Sequence, residues 1–184
     1  LDRVTIWIRE HIREPFAQHP QLWFMLAAAR QINWPDTLAE LIEDRRGAWP
    51  RRAGRWDPDR ACKIMRARAA RGDKVYTGAY MIKGAGRDRG PREAADKPHY
   101  TVHRVLVPLW KQRKVLSPQF KHTLREGFEA LRDQYGWGDF MAAQVIADLK
   151  YTPGLSVASD WWDWAVLGPG SRRGLTRVLG DEIT

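Results

Sequence analysis

Two short glycine patterns are the parts of this sequence best suited to holding an anion. The first is Gly136-Trp137-Gly138 and the second is Gly168-Pro169-Gly170; each lies between two apolar helical patterns. This arrangement predicts a helix, a two-glycine hairpin and a helix in both places. The backbone N–H groups that open the second helix of each pair can then face an anion. An ordinary glycine cap between packed helices is the alternative for either copy alone.

The second copy is more basic than the first, because Ser171, Arg172 and Arg173 follow its glycines directly. A hydroxyl and two guanidinium groups add hydrogen-bond donors and positive charge at the same helix start. If the anion is a DNA phosphate, both hairpins provide a grip that does not depend on base sequence. Gly136, Gly138, Gly168 and Gly170 are therefore candidate phosphate or DNA contacts, together with these three residues.

The region between the hairpins carries the carboxylates that are candidates for catalysis. Ser159 and Asp160 are predicted to open a helix that includes Trp164, where the helix dipole would favour an ionised Asp160. Plain N-capping is the alternative for Asp160. Gln144 and Asp148 are spaced i and i+4, so they share one face of the helix that follows the first hairpin.

Arg30 and Asn33 are polar residues near the end of an apolar helical pattern that extends from Pro20. Their i and i+3 spacing places them on one face, where they either line a pocket or satisfy backbone carbonyls. Ten tryptophans are present, and most should be core residues. Trp161 is the best candidate for stacking on an exposed base, although core packing is the alternative.

Helical periodicity accounts for most of the chain. The apolar pattern from Pro20 to Asn33 predicts a central buried helix, and Asp57-Pro58 and Gly72 predict the two ends of a basic helix. The remaining helical patterns lie at 4–12, 35–42 and 117–135. Strand signals are nearly absent, so we predict an all-α fold in one domain spanning residues 1–184.

Composition favours a polyanionic partner and a reducing environment. The net charge is +9, with 31 basic and 22 acidic residues, and many arginines fall between Arg45 and Arg71. This segment predicts either a phosphate-tracking surface or a solvated basic face. The single cysteine, Cys62, excludes an internal disulfide framework and is consistent with the cytoplasm. No apolar run is long enough to span a bilayer.

Several common site motifs are missing or incomplete. The chain has no GxxxxGK[ST] loop, and Gly84-Ala85-Gly86 lacks the strand-to-helix setting of a dinucleotide fingerprint. His99 and His103 are spaced i and i+4, but no further ligand falls at zinc-site spacing. We therefore interpret them as histidines on a helix surface, predict no metal site and leave a dependence on divalent metal open.

The order hairpin, helix, loop and aspartate resembles that of the helix-hairpin-helix DNA glycosylases. This resemblance implies a glycosylase-like helical fold and transfers the catalytic aspartate to Asp160. Bifunctional glycosylases carry a Schiff-base lysine just after the hairpin, where this sequence has Phe140. The resemblance therefore disfavours lyase chemistry.

A closer resemblance is to the α-glutamyl/putrescinyl thymine pyrophosphorylases, which are related to the helical domain of 5-hydroxymethyluracil DNA kinases. Four stretches carry it, and the last two are the most specific: Ala29 to Leu38, Thr77 to Ile82 with Tyr80 at its centre, Gly138 to Tyr151, and Gly168 to Leu175. This family belongs to phage-type thymine hypermodification. The resemblance implies action in the cytoplasm, that of the host cell if the chain is phage-encoded.

The reaction implied by this resemblance is a displacement on DNA. A thymine-derived base carrying a pyrophosphate on its 5-hydroxymethyl group, made by a 5-hydroxymethyluracil DNA kinase, loses pyrophosphate to an amine co-substrate, an amino acid or polyamine. The partner is double-stranded DNA with its modified base flipped out. No other cofactor is implied with certainty.

The resemblance also suggests a role for each candidate residue. Asp160 is the first choice for the catalytic carboxylate and Asp148 the second. Arg30 or the second hairpin would hold pyrophosphate, although Arg172 and Arg173 could bind only the DNA backbone. The base contacts are assigned to Arg30, Asn33, Tyr80, Gln144 and Trp161. A glycosylase using Asp160 and a non-catalytic DNA-binding module are the alternative functions.

Overall fold

The described secondary structure is helical. The computed structural model describes residues 2–78 and 96–180. Within these ranges there is no β-strand, and the strand-like pairing consists of one isolated antiparallel bridge between Arg52 and Arg55. The all-α prediction is therefore confirmed for this part of the chain.

Two helices near the start and the middle of the chain continue into π-helical turns. α1 (Arg3–Ile8) runs into a π-helical segment (Arg9–Arg13), and α5 (Lys97–His99) runs into a second one (Tyr100–Leu106). The other helices are α2 (Leu22–Ile32), α3 (Pro35–Glu43), α4 (Pro58–Ala70), α6 (Val107–Lys111), α7 (Arg113–Leu116), a 3₁₀ turn (Ser117–Lys121), α8 (Leu124–Arg132), α9 (Asp139–Leu149) and α10 (Pro169–Leu179).

The first π-helical segment follows α1 without a break. The N–H of Glu14 donates to the carbonyl of Arg9, five residues earlier, over 2.9 Å. This wider turn replaces the usual bond to the fourth preceding residue, and such turns are frequent at functional sites. It carries the side chains of Arg9 and Arg13.

α2 is the centre of the fold, as its apolar sequence predicts. All eleven of its residues are buried. α9 packs against α2 on one side and against α8 on another. The small side chains of Ala27 to Ala29 allow neighbouring helices to approach closely. α2 ends at Asn33, whose left-handed backbone (φ 49°) lets its N–H bond the Ala29 carbonyl at 2.7 Å.

The ends of α4 also agree with the sequence prediction. The Asp57 side chain accepts the backbone N–H of Arg60 at 2.9 Å, and Pro58 occupies the first turn. Gly72 follows the helix with a left-handed backbone (φ 80°). The stretch 57–72 thus forms the predicted capped helix.

The single helix predicted over 117–135 is instead two elements. Ser117–Lys121 forms a 3₁₀ turn, and Thr123 starts α8 by accepting the N–H of Glu126 at 3.0 Å. The Ser117 hydroxyl does not cap a helix; it donates to the Arg113 carbonyl and accepts the indole N–H of Trp23. The local cap at Thr123 therefore divides the predicted helical pattern into two elements.

The prediction of a helix that begins at Asp160 is wrong. Residues 150–168 form turns and irregular chain, so neither Asp160 nor Trp164 lies in a helix. The second glycine pattern therefore opens α10 from a loop and is not a helix-hairpin-helix. Local turn bonds, such as that from Trp164 N–H to the Asp160 carbonyl at 3.0 Å, shape this stretch, and buried Leu155 and Ala158 anchor it to the core. None of the described helices has the length and apolar character needed to cross a bilayer.

Candidate functional site

A pocket of about 450 Å³ opens between α1, α2 and α9. Its volume lies in the range of small-molecule sites. Three of the residues selected from the sequence, Arg30, Gln144 and Asp148, meet in its wall. Within residues 2–78 and 96–180, the lining is Thr5, Ile6, Arg9, Arg13, Arg30, Gln144, Ala147, Asp148 and Tyr151.

The deepest part of this pocket is a buried ion pair. Arg30 Nε and Nη2 donate to the two carboxylate oxygens of Asp148, each over 2.7 Å. Only 2% of the Arg30 side chain and 4% of the Asp148 side chain are exposed. This two-point pairing fixes the plane of the guanidinium group. The pair cross-links α2 to α9 at the bottom of the pocket.

Arg30 has further donors beyond this pair. Its Nη2 also donates to the Thr5 hydroxyl on α1 over 3.2 Å. Its buried Nη1 has no hydrogen-bond partner among the described residues. A buried N–H without an acceptor is costly and is unusual in folded proteins. Arg30 can therefore accept an anionic ligand without giving up Asp148.

The rest of the lining follows from helical spacing. Gln144, Asp148 and Tyr151 lie at i, i+4 and i+7 along α9 and the turn after it, so they form one stripe. Arg9 and Arg13 are one turn apart on the π-helical segment opposite. The Arg13 guanidinium lies 5.4 Å from the centre of the Tyr151 ring. Three arginines and one carboxylate are among the described lining residues, but Arg9 also pairs with Glu10 and Glu14 outside the pocket. Arg13 therefore supplies most of the uncompensated positive charge, which suits an anion.

Asp160 lies outside this pocket and has a structural role. Its two carboxylate oxygens accept the backbone N–H groups of Leu124 and Arg125 at 2.8 and 3.0 Å. These are the first two residues of α8, so Asp160 caps that helix from a distant part of the chain. The N-capping alternative for Asp160 is therefore correct, although Asp160 caps α8 and not a helix that begins at Asp160 itself.

Trp161 is half-buried against the fold. Its indole N–H donates to the Lys150 carbonyl at 3.1 Å, and the Lys150 ammonium lies 4.0 Å from its ring centre. The adjacent Trp162 is 87% exposed. Trp162 is therefore the more accessible ring for stacking. The sequence alone does not separate Trp162 from its neighbours Trp161 and Trp164.

The first glycine hairpin has the geometry that the sequence predicts. Gly136 has a left-handed backbone (φ 81°), and Gly138 is the N-cap of α9. No side chain caps the first turn of α9, so its N–H groups are open to an external acceptor. The Gln31 side chain donates to the Gly136 carbonyl over 3.4 Å and ties the hairpin to α2.

The second glycine pattern forms an exposed helix start. Gly168 is the N-cap of α10, without a side-chain cap, and Gly170 lies in its first turn. Ser171, Arg172 and Arg173 are exposed on this helix. Neither arginine has an ion-pair partner in the described ranges, so both are available to an anion.

Asn33, another candidate for base contact, does not line the pocket. Asn33 is buried as the C-cap of α2, and its Oδ1 lacks a hydrogen-bond partner within residues 2–78 and 96–180. Asn33 thus takes the capping role that the sequence left open, while Arg30 lines a pocket. Tyr80 lies outside the described residues.

The basic segment divides into a neutralised part and an open part. On α4 and just after it, Arg60 pairs with Asp44, Arg66 with Asp96, and Arg68 and Arg71 with Glu40. The loop before α4 instead lines a cavity of about 320 Å³ with Arg45, Arg46, Arg51, Arg52 and Arg55. This arginine loop provides more available positive charge than the α4 face does.

The interpretation of His99 and His103 as surface histidines is correct only in part. Both are half-buried, and one ring nitrogen of each lies within 4.8 Å of the other and of the buried Cys62 Sγ on α4. Burial and the neighbouring His99 lower the pKa of His103. Burial raises the pKa of the Cys62 thiol. Sequence reasoning missed this cluster because Cys62 is distant along the chain from His99 and His103.

The helices of the described ranges, the glycine hairpin and the arginine-lined pocket define a basic helical domain. The whole chain, residues 1–184, matches the family model described as 5-hmdU DNA kinase, helical domain. The chain belongs to this family and is therefore related to the 5-hmdU DNA kinase system. No curated protein and no solved structure matches it.

Proposed function

We propose that this domain modifies a flipped thymine-derived base in DNA at the pocket between α1, α2 and α9. The substrate is a uracil whose 5-hydroxymethyl group carries a pyrophosphate, and an amine displaces that pyrophosphate. The observation that carries the proposal is the meeting of Arg30, Gln144 and Asp148 with Arg9 and Arg13 in one pocket. The family relation supports DNA modification at the 5-hydroxymethyl position.

The positive wall of the pocket suits a pyrophosphate leaving group. Arg9 and Arg13 face the pocket from the π-helical segment, and Arg30 offers its unpaired Nη1. Cations in a partly dry site stabilise charge that develops on a departing phosphate. Arg9 also pairs with Glu10 at 2.7 Å, so Arg13 is the less committed cation. Arg13 is therefore the principal pyrophosphate contact.

The displacement needs one bond to form and one to break. The amine nitrogen bonds to the 5-methylene carbon while the bond from that carbon to pyrophosphate oxygen breaks, and its electron pair leaves with pyrophosphate. The proton lost by the attacking nitrogen passes to the departing pyrophosphate. Asp148 holds Arg30 in position and is not the base, because both of its oxygens already accept charged donors.

The remaining lining suits a pyrimidine base. Gln144 offers a donor and an acceptor to the uracil edge, and Tyr151 offers an exposed ring for stacking. Gln144 lies about 9 Å along α9 from Gly138 at the hairpin. A hairpin on the DNA backbone would therefore place a flipped base close to this wall.

Arg13→Ala is expected to lower turnover about 100-fold, because one donor to the leaving group is lost. Gln144→Ala is expected to lower turnover about tenfold through one lost hydrogen bond to the base. The assay incubates the protein with hydroxymethyluracil DNA, a separate kinase, ATP and candidate amines, followed by mass spectrometry of the nucleosides. Arg125→Ala and Gln18→Ala are the matched controls, since both side chains are exposed and outside the pocket.

The products distinguish this proposal from its alternatives. An aminated nucleoside that disappears in Arg13→Ala and persists in Arg125→Ala supports it. Release of a free base would instead identify a glycosylase. DNA binding without either product would identify a non-catalytic module. Equal losses in Arg13→Ala and Arg125→Ala would exclude the pocket as the reaction site.

Arg172→Ala is expected to reduce the slope of log affinity against log salt concentration by about 0.9, which corresponds to one lost phosphate contact. The reason is that Arg172 has no ion-pair partner among the described residues and lies near the N-terminus of α10, where no side chain caps the helix. The measurement is duplex binding by fluorescence anisotropy over a range of salt concentrations. Arg132→Ala is the control, because Arg132 already pairs with Asp133. An unchanged slope in Arg172→Ala would remove α10 from the DNA-binding surface.

A further inference from the structure

Cys62, His99 and His103 form a cluster that the proposed reaction does not use. The Cys62 Sγ and one ring nitrogen of each histidine lie within 4.8 Å of one another. The two imidazoles stack with their centres 4.6 Å apart and their planes inclined by 27°. None of these residues lines the Arg30–Asp148 pocket. The cluster joins α4 to the segment that begins with α5.

Helical spacing also brings a carboxylate to this cluster. Asp59 and Cys62 are separated by one turn of α4, and His99 and His103 by one turn of the facing segment. The Asp59 carboxylate lies 3.4 Å from His103 Nε2, and 89% of its side chain is exposed. Asp59 can therefore move without disturbing the core. Four possible metal ligands therefore lie on two helical turns: Asp59 and Cys62 on α4, and His99 and His103 on the facing segment.

We propose that Cys62, His99 and His103 bind a divalent ion of the zinc class, with Asp59 as the fourth ligand. One thiolate, two imidazoles and one carboxylate are zinc donors, and four ligands suit its tetrahedral geometry. Bonds of about 2.0–2.3 Å require donor atoms roughly 3.5 Å apart. The Cys62, His99 and His103 donors lie within 4.8 Å of one another and the Asp59 carboxylate lies 3.4 Å from His103, so small side-chain rotations can supply the remaining approach.

The geometry gives this ion a structural role. Four protein ligands leave no open position for substrate, in contrast to catalytic zinc sites. The ion would link α4 to the π-helical segment at the junction where Arg66 and Asp96 already form an ion pair. Its position reinforces the packing of α4 against α5 and the turns that follow. Metal binding at such a site contributes directly to folding free energy.

The test is a titration of chelator-treated protein with Co²⁺ alone. We expect one equivalent to bind, with a thiolate-to-cobalt charge-transfer band and the visible absorption of tetrahedral cobalt; Zn²⁺ should then displace it. Cys62→Ser should remove the charge-transfer band, and His103→Gln should lower affinity at least tenfold. Asp59→Asn should weaken binding and keep the charge-transfer band. His122→Gln is the control, because His122 is exposed and lies outside the cluster.

A second measurement keeps the proposal testable if one variant folds poorly. At one fixed concentration, Zn²⁺ should raise the melting temperature of the unaltered protein and of His122→Gln, and should raise that of His103→Gln markedly less. The absence of a charge-transfer band in the unaltered protein would overturn the proposal. A band that persists in Cys62→Ser, or equal losses in His103→Gln and His122→Gln, would also overturn it. These outcomes are independent of DNA modification.

Discussion

Asp148→Asn is expected to lower the free energy of unfolding by about 3–5 kcal/mol, although the change removes no carbon atom. The substitution leaves the Arg30 guanidinium charged and almost completely buried, without its counterion. An unpaired buried charge destabilises the folded protein far more than the loss of a surface ion pair does. The measurement is urea unfolding followed by tryptophan fluorescence, with the slope compared between variants.

Two further variants separate charge from shape in this prediction. Arg30→Met combined with Asp148→Leu removes both charges and should recover most of the lost stability, because apolar replacement of a buried pair is often neutral. Asp133→Asn removes the acid of an exposed pair with Arg132 and should leave unfolding nearly unchanged. An Asp148→Asn protein as stable as Asp133→Asn would show that the Arg30–Asp148 pair carries little of the stability. Activity lost in Asp148→Asn cannot be assigned to chemistry, so Gln144 and Arg13 are the better probes of function.

Gly136→Ala is expected to destabilise the protein by about 2–4 kcal/mol. The backbone of Gly136 is left-handed (φ 81°), and an added Cβ would lie 2.8 Å from Cγ2 of Val105. Val105 is buried in the second π-helical segment, so the contact cannot be relieved by a flexible side-chain end. Backbone strain and overpacking therefore add together. The same unfolding measurement checks the loss.

Gly138→Ala is the matched control in the same hairpin. Gly138 has an extended backbone (φ −111°), and a Cβ added there would meet nothing within 4 Å. We expect its stability to change by less than about 1 kcal/mol. If Gly138→Ala weakens DNA binding without unfolding the domain, the hairpin contacts DNA directly. Equal stability of the two variants would contradict the close approach between Gly136 and Val105.

Local patterns were sufficient to predict the main helices and part of the site. The apolar sequence of α2 predicted burial on every side, and Asp57-Pro58 predicted the start of α4. The i and i+4 spacing of Gln144 and Asp148 predicted their common face. The spacing could not predict that this face meets Arg30, because the contact between α2 and α9 joins residues that are distant along the chain.

The errors in the sequence interpretation arose where a distant partner decides the structure. Asp160 has the sequence features of a helix start, yet its carboxylate caps α8 instead. His99 and His103 looked like surface residues because their neighbour Cys62 lies on a different helix. Arg9 and Arg13 were not selected, although their spacing could have identified a basic face. Each case depends on tertiary packing, which local propensity does not specify.

The π-helical turn after α1 makes the pocket sensitive to chain length as well as to residue type. Successive residues of an α-helix are rotated by about 100° around its axis. A chain that kept all five residues of 9–13 in regular α-helical bonding would turn Arg13 away from Tyr151 by roughly 90°, whereas removing one residue at the same time would nearly restore its direction. Sequence comparisons of this pocket must therefore count insertions and deletions in α1, since two chains with identical lining residues can present different charge patterns.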